Sequence, residues 1–237
     1  LKDVLHNSDI YDEDNFDLLD SKAYCLSLSD QYWVKRVDED ILWKDINFFD
    51  NEFSEDIGKI LFNGGKISIN LNLNTPDMTS NGNYEKRWKI IGGDRYLVKA
   101  GGKMINQEPF NEVIATKLYE RILNDDEYVK YEIVYDDERA VSICKNFITT
   151  NTELIPAWKI NEYYEVNEDE NKYEHYIKCL NKLNIPNANL LVDKMIVCDF
   201  ILANKDRHFN NFGVIRNVET LEFERVVREL DLSIRED

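Results

Sequence analysis

The sequence predicts an α+β fold in which a strand-rich part precedes a helix-rich part. Two segments, 87–99 and 127–147, each place β-prone residues on both sides of a short polar turn, which is typical of β-hairpins. Two apolar stretches with helical spacing, 108–123 and 187–202, have the length of ordinary helices. A polar loop at 204–211 follows the second helix and leads into another apolar run. Because both ends of this loop are anchored, it is a good place for chemistry.

Composition and charge restrict the classes of function. Of the 237 residues, 43% are hydrophobic, which is enough for a sizeable core. The net charge is −17, from 29 basic and 46 acidic residues. This charge argues against a nucleic-acid partner, because nucleic-acid phosphates need neutralising cations. No apolar run reaches the roughly 18 residues of a membrane span, so no membrane partner is expected.

The cysteines and the N-terminus indicate a cytoplasmic protein. The four cysteines include no C-x-x-C pair, and the three histidines do not cluster with them, so reduced thiols are expected and a zinc site is not. The first residues are acidic and do not resemble a signal peptide. Because the chain begins with Leu1 and not with Met, we expect that the native N-terminus lies upstream or was trimmed.

Three segments are expected along the chain. Residues 1–62 form an N-terminal segment that packs on the strand-rich part, with a helix that begins at Ser54 and ends near Gly64. Residues 63–150 form the strand-rich part, and residues 151–237 form the helix-rich part.

The segment 63–84 is rich in Asn, Gly, Ser and Thr and has two interpretations. One is an ordinary surface loop. The other is a loop that covers a phosphate, because small residues let backbone N–H groups approach an anion closely.

The first hairpin ends in Lys99, and the helix after it carries Glu112 in its first two turns. A glycine loop, a strand that ends in Lys and a helix with an early Glu follow one another in the ATP-binding half of protein kinases. The alternative for Glu112 is a solvated carboxylate on a helix surface. The exit of the second hairpin, with Lys145 and Phe147, would be the hinge that receives an adenine ring.

The helix-rich part begins with a polar, acidic stretch to Asn171 that is expected to connect the two parts. A short helix then runs to about Leu183, and a longer helix begins near 187–189. Four residues of the longer helix share one stripe that should be buried: Leu191, Met195, Cys198 and Leu202. Three more form a second apolar face, which predicts a core helix: Leu190, Val197 and Ile201.

The loop after this helix contains Asp206 and Asn211 in the order D-x-x-x-x-N. In protein-kinase catalytic loops this spacing provides a carboxylate that takes a hydroxyl proton and a carboxamide oxygen that holds a metal. Arg207 either orients the loop or packs against it, and His208 is expected to pack.

Taken together, these motifs resemble the HipA-like serine/threonine protein kinase family, and in particular its short members related to cell-translocating kinase A. The similarity extends from about Leu26 to Val227. Four stretches carry it: PDMTS (76–80), KRWKI (86–90), QEPFNE (107–112) and NKDRHFNNFG (204–213). The resemblance implies a protein-kinase-like, two-lobed α+β fold. Its N-lobe would be β-rich with one main helix, and its C-lobe would be helical and incomplete.

The resemblance also implies roles for individual residues and a set of ligands. Lys99 would contact the α- and β-phosphates of ATP, and Glu112 would orient Lys99. Asp206 would be the catalytic carboxylate, and Asn211 would bind Mg²⁺. The partners would be a protein substrate and an antitoxin-like protein.

The phosphate loop implied by the resemblance contains Ser80, Asn81 and Gly82. In related kinases a serine of this loop can be autophosphorylated, which expels the loop and silences the enzyme. Ser80 or Thr79 would take that part here.

A second metal-binding Asp is implied on a strand after the catalytic loop, and the matching residue is Asp231, in RELDLS (228–233). The family places a Pro and an apolar pair before this Asp, whereas Arg228 and Glu229 are charged. The helices that buttress the C-lobe in the family are not found after it. Three hypotheses follow: an active Mg-ATP-dependent kinase, a catalytically inactive kinase-like module that binds a nucleotide or a protein, and an acidic structural domain.

Overall fold

The computed structural model describes residues 24–62, 74–79, 85–102, 105–165, 170–205 and 207–228. Their helices are α1 (Trp43–Ile46), α2 (Asp56–Phe62), a 3₁₀ helix (Pro76–Thr79), α3 (Glu108–Ile122), α4 (Ala157–Glu162), α5 (Lys172–Lys182) and α6 (Ala188–Ile201). Their strands are β1 (Lys86–Ile91), β2 (Asp94–Ala100), β3 (Tyr131–Asp136), β4 (Arg139–Lys145), β5 (Thr152–Pro156), β6 (Phe212–Asn217) and β7 (Phe223–Arg228).

A four-stranded sheet with the order β1-β2-β4-β3 contains both predicted hairpins. β1 and β2 pair antiparallel around Gly92 and Gly93, whose φ angles are 60° and 91°. A side chain would be strained at such angles, which explains the glycines at this turn. The first hairpin and the helix α3 are confirmed almost residue for residue.

One face of this sheet packs on α2. Phe62 at the end of α2 is 3% exposed and lies in a cluster with Val98 and Val141. The guanidinium groups of Arg87 and Arg139 lie 5.1 and 5.7 Å from the centre of its ring. A second cluster packs the segment before α2 on β1; it consists of the buried side chains Leu26, Leu28, Phe48 and Phe53, with Trp88 and Ile90 against them.

A three-stranded antiparallel sheet, β5-β6-β7, packs with α4, α5 and α6 around a separate core. Among the core side chains, Tyr176, Leu180, Met195 and Val214 are each no more than 4% exposed. Gly213 pairs with Pro156, and a Cβ at this position would come within 2.5 Å of the Ile155 carbonyl oxygen. The close approach of β5 and β6 therefore requires glycine.

The chain divides into two compact units. One comprises Leu1–Asn106 and Val134–Thr150, and the other comprises Gln107–Ile133 and Asn151–Asp237. The helix α3 thus belongs to the second unit. The division at residues 62 and 150 stays a prediction. In the part of the chain that the structure describes, no helix has the length and apolar character needed to cross a membrane.

Two expectations about the helix-rich part are wrong. The stretch before Asn171 contains a strand and a helix, β5 and α4, and is more than a connection. The apolar face of α6 with Leu190, Val197 and Ile201 is 51–54% exposed, so α6 is core on one side only. The other stripe is confirmed for Met195 and Cys198, which are buried, whereas Leu191 and Leu202 are half-buried.

Candidate functional site

Lys99 lies in the middle of a row of polar side chains across the four-stranded sheet. Its Cα is paired with that of Lys86 on β1 and with that of Ser142 on β4. Side chains at paired positions project from the same face of a sheet. Val98 and Ala100, which alternate with Lys99, pack in the Phe62 cluster, so this row projects from the face opposite α2.

Two lysines at directly opposed positions repel each other, and burial increases the cost of their charge. Lys99 is only 4% exposed and Ser142 is fully buried. The contact of Lys99 with the phosphates of ATP stays a prediction.

Glu112 lies on α3 and is 4% exposed, so it is not the solvated helix carboxylate of the alternative interpretation. It belongs to the second compact unit, whereas Lys99 belongs to the first. The role that the resemblance gives Glu112, to orient Lys99, stays a prediction.

The 3₁₀ helix that precedes the predicted phosphate loop is fixed to β1 by Asp77. One carboxylate oxygen of Asp77 accepts the backbone N–H of Trp88 at 2.6 Å, and the other accepts the hydroxyl of Thr75 at 2.8 Å. Asp77 is 2% exposed. Burial raises its pKa from 3.8 to about 6, although the two hydrogen bonds and the charge of Arg87 act in the opposite direction.

The segment after β4, predicted to be a hinge, is held by backbone contacts. The N–H of Asn146 donates to the carbonyl of Arg95, and the Asn146 side chain donates to the carbonyl of Leu28 at 3.2 Å. The ammonium group of Lys145 is exposed and donates to Asp94 at 2.7 Å, and this hydrogen bond raises the pKa of Lys145. Phe147 is half-buried. Lys145 is thus engaged at the β1–β2 turn, while binding of ATP by Lys145 and Phe147 stays a prediction.

The end of α6 leads directly into the polar loop. The N–H of Asn204 donates to the Asp199 carbonyl at 2.8 Å, and Ala203 before it has a φ of 52°. A bond over this span with a left-handed residue inside it is the usual way to close a helix. The Asn204 side chain also donates to the Asp199 carboxylate at 3.0 Å.

Arg207 connects the beginning of the loop to its end. Its Nε and Nη2 atoms donate to the two oxygens of the Asp199 carboxylate at 2.8 and 2.7 Å. Its Nη1 atom donates to the carbonyl of Asn211 at 3.2 Å. The guanidinium also lies 6.0 Å from the centre of the Phe212 ring. Of the two roles left open for Arg207, the structure therefore supports orientation of the loop.

Phe209 fixes the middle of the loop to the core. Its ring centre lies 5.3 Å from that of Tyr176 and 5.8 Å from that of Phe212. His208 does not pack, contrary to expectation: it is exposed, and its Nδ1 atom accepts the N–H of Asn210 at 3.3 Å. The sequence favours Phe209 for the core position because an aromatic ring gains far more from burial than an imidazole does.

Asn211, the predicted metal ligand, is 3% exposed and directly precedes β6. Its N–H donates to the carbonyl of His208 at 3.0 Å, and its own carbonyl accepts from Arg207. The Asn211 backbone is thus held on both sides. A carboxamide oxygen is a hard donor of the kind that Mg²⁺ prefers.

The remaining predicted site residues lie outside the residues that the structure describes. These are Ser80, Asn81, Gly82, Asp206 and Asp231. No group of three or more His, Cys, Asp or Glu side chains suited to a metal ion occurs among the described residues.

Sequence reasoning overlooked Asp77 and Asp199. Asp77 follows Pro76 in a polar stretch, where an acidic residue is unremarkable. Asp199 had a detectable signal, since it is a carboxylate directly after Cys198 on the buried stripe of an apolar helix. An acidic residue at such a position needs a buried partner, and Arg207 in the next loop is near enough in sequence to be one.

The comparisons with known proteins support this architecture. The structure resembles a crystal structure of a Helicobacter pylori proinflammatory kinase, CtkA, with a TM-score of 0.54 and 19% sequence identity. The fold is kinase-like. The similarity covers 65% of this chain and 54% of that one, so the chain spans about half of the kinase that it matches. No protein-family model and no curated protein matches the sequence.

Proposed function

We propose that this chain is a Mg²⁺- and ATP-dependent serine/threonine kinase of the HipA-like type, which phosphorylates itself or a cytoplasmic protein. An antitoxin-like protein is the proposed regulatory partner. The observation that carries the proposal is the loop between α6 and β6. Within a kinase-like fold, Arg207 and buried Asn211 are held in a D-x-x-x-x-N sequence by contacts at both ends of the loop.

The residues of the chain suit a magnesium nucleotide. In the row of polar side chains across the sheet, buried Lys99 offers charge for phosphate oxygens. Asn211 offers a carboxamide oxygen for the metal ion. Bound Mg-ATP would supply the phosphoryl group, and its Mg²⁺ would neutralise part of the negative charge on the phosphate oxygens. Asp206 would accept the proton of the substrate hydroxyl while the hydroxyl oxygen bonds to the γ-phosphorus and ADP leaves.

A phosphate-transfer assay with Mg-ATP, read by intact mass, tests the proposal. The wild type should gain mass in units of one phosphate, and Asp206→Asn should not. Asp193→Asn is the matched control, because Asp193 is an exposed carboxylate on α6 that accepts the Tyr173 hydroxyl at 2.6 Å. Transfer by Asp206→Asn at the wild-type rate would contradict the proposed role of the loop.

The second candidate function, a catalytically inactive kinase-like module, is favoured by the charged residues Arg228 and Glu229 before Asp231. The same assay separates the two functions. A wild type that binds Mg-ATP but transfers no phosphate to itself or to added protein substrates would support the inactive module.

A further inference from the structure

Asp199 and Arg207 form a buried ion pair that connects α6 to the loop after it. The Asp199 carboxylate is largely buried and accepts three hydrogen bonds, two from Arg207 and one from Asn204. Arg207 is also mostly buried, with 15% of its side chain exposed. Apolar packing often stabilises a fold as well as a buried ion pair does, and in some proteins such a pair serves to define one geometry.

This ion pair involves the loop that contains Asp206 and Asn211, the two residues with proposed chemical roles. Arg207 directly follows Asp206 in the chain, and its third hydrogen bond ends on the backbone of Asn211. One rigid guanidinium thus connects the last turn of α6 to the backbone of the proposed metal ligand. A lysine could replace the charge of Arg207 but not this planar set of three donors.

We infer that Asp199 and Arg207 are positioning residues for phosphate transfer, which hold the backbone of Asn211 in the loop whose sequence also contains the proposed catalytic carboxylate. The inference rests on the proposed function. It predicts a larger loss in kcat than in ATP binding when the pair is altered, because misplacement by about 1 Å can cost on the order of 10²-fold in rate.

The test compares Arg207→Lys with Arg216→Lys. Arg216 also forms a buried ion pair in the same compact unit: its Nε and Nη2 atoms lie 2.7 and 2.6 Å from Oε1 of Glu153, which is 2% exposed. Both variants keep the charge and remove guanidinium contacts with a buried carboxylate, so both should lower the melting temperature. Only Arg207→Lys should lower kcat, by about 10- to 100-fold, with the KM for ATP changed less than threefold.

Two further measurements distinguish positioning from a structural role. Combined with Asp206→Asn, Arg207→Lys should cause no additional loss of transfer, because the two residues act through one step. Amide hydrogen exchange of residues 204–211 should accelerate in Arg207→Lys and in Asp199→Asn, and should stay unchanged in Arg216→Lys. Equal kinetic losses in Arg207→Lys and Arg216→Lys, or unchanged exchange of the loop, would overturn the inference.

Failure of the proposed function would give a different experimental result from failure of this inference. If the wild type transfers no phosphate under any condition, the proposed function fails, and the catalytic part of this inference fails with it. The exchange measurement does not depend on activity, and in that case it decides whether Asp199 and Arg207 set the loop geometry.

Discussion

The carboxylate of Asp77 accepts the backbone N–H of Trp88 at 2.6 Å, which fixes the 3₁₀ helix before the predicted phosphate loop to the first strand of the sheet. Because burial dominates over this hydrogen bond and over the charge of Arg87, the folded protein holds a proton on Asp77 up to a pH of about 6. The stability of the folded chain therefore depends on the protonation of Asp77.

The first prediction concerns stability between pH 4 and 7. The pKa of Asp77 is about 6 in the folded protein and 3.8 when unperturbed, so the folded state binds the proton more tightly. The resulting stabilisation, about 3 kcal/mol at most, is complete below pH 4 and is lost as the pH rises through 6. Urea unfolding at several pH values should show wild type losing stability relative to Asp77→Asn over this window.

Asp94→Asn is the control for the pH experiment, because Asp94 is an exposed carboxylate of the same unit that pairs with Lys145. Its stability curve should run parallel to that of the wild type. Parallel curves for wild type and Asp77→Asn would show that Asp77 does not titrate in this range.

The second prediction is that Mg-ATP stabilises the chain through Lys99. A ligand at a hundred times its Kd adds about 2.7 kcal/mol to the free energy of unfolding. For a protein of this size, that corresponds to a rise in Tm of roughly 5–10 °C. Thermal melts should show the rise in the wild type and its loss in Lys99→Ala. Lys117→Ala should keep the full rise, because Lys117 is an exposed lysine on α3 that pairs with Glu120. An equal rise in Lys99→Ala would exclude Lys99 from the site.

The third prediction is that autophosphorylation occurs in the segment 75–84, with Ser80 as the main acceptor. This segment carries several hydroxyl groups. Asp77 fixes its beginning to β1, and β1 contributes Lys86 to the row of polar side chains that contains Lys99. Tandem mass spectrometry after incubation with Mg-ATP locates the phosphate, and Ser80→Ala should remove most of it. Phosphate found only outside residues 75–84 would contradict the assignment.

The sequence predicted the elements whose local signals agree with their environment. The β1–β2 hairpin was predictable because Gly92 and Gly93 occupy a turn that needs positive φ. The strand β5 was not, because its buried position is a carboxylate, Glu153, that is neutralised by Arg216 on β6. Arg216 lies opposite Glu153 only in the folded chain. From the sequence alone, Glu153 therefore looked like part of a polar connection.

In the candidate site, too, some features were predictable from the sequence and others were not. The loop between α6 and β6 was predictable from the apolar runs on either side, while the role of Asn211 stays a prediction. The contact between Asp199 and Arg207 was not, because it joins a helix to a loop through side chains that sequence patterns treat as solvated. The exposed face of α6 was also misjudged, since periodicity identifies an apolar face but not whether another element covers it.

The fourth prediction concerns Asp206. Its substitution by Asn keeps the size of the side chain but removes the ability to accept the hydroxyl proton. Transfer should fall by about 10²–10⁴-fold, which is the usual contribution of a general base. The Kd for Mg-ATP, measured with a fluorescent nucleotide, should remain within a few-fold of the wild type. A large loss of nucleotide binding would instead assign Asp206 to the ligand site.

The last prediction separates the role of Asn211 from that of Asp206. In Asn211→Ala the backbone N–H and carbonyl that hold the loop remain, whereas the carboxamide oxygen is lost. If that oxygen binds Mg²⁺, the Mg²⁺ concentration for half-maximal transfer should rise, and saturating Mg²⁺ should restore part of the rate. Asn210→Ala is the matched control, because Asn210 is the exposed neighbour in the same loop and should leave the Mg²⁺ dependence unchanged. If Asn211→Ala lowers the rate equally at all Mg²⁺ concentrations, Asn211 acts on the loop and not on the metal ion.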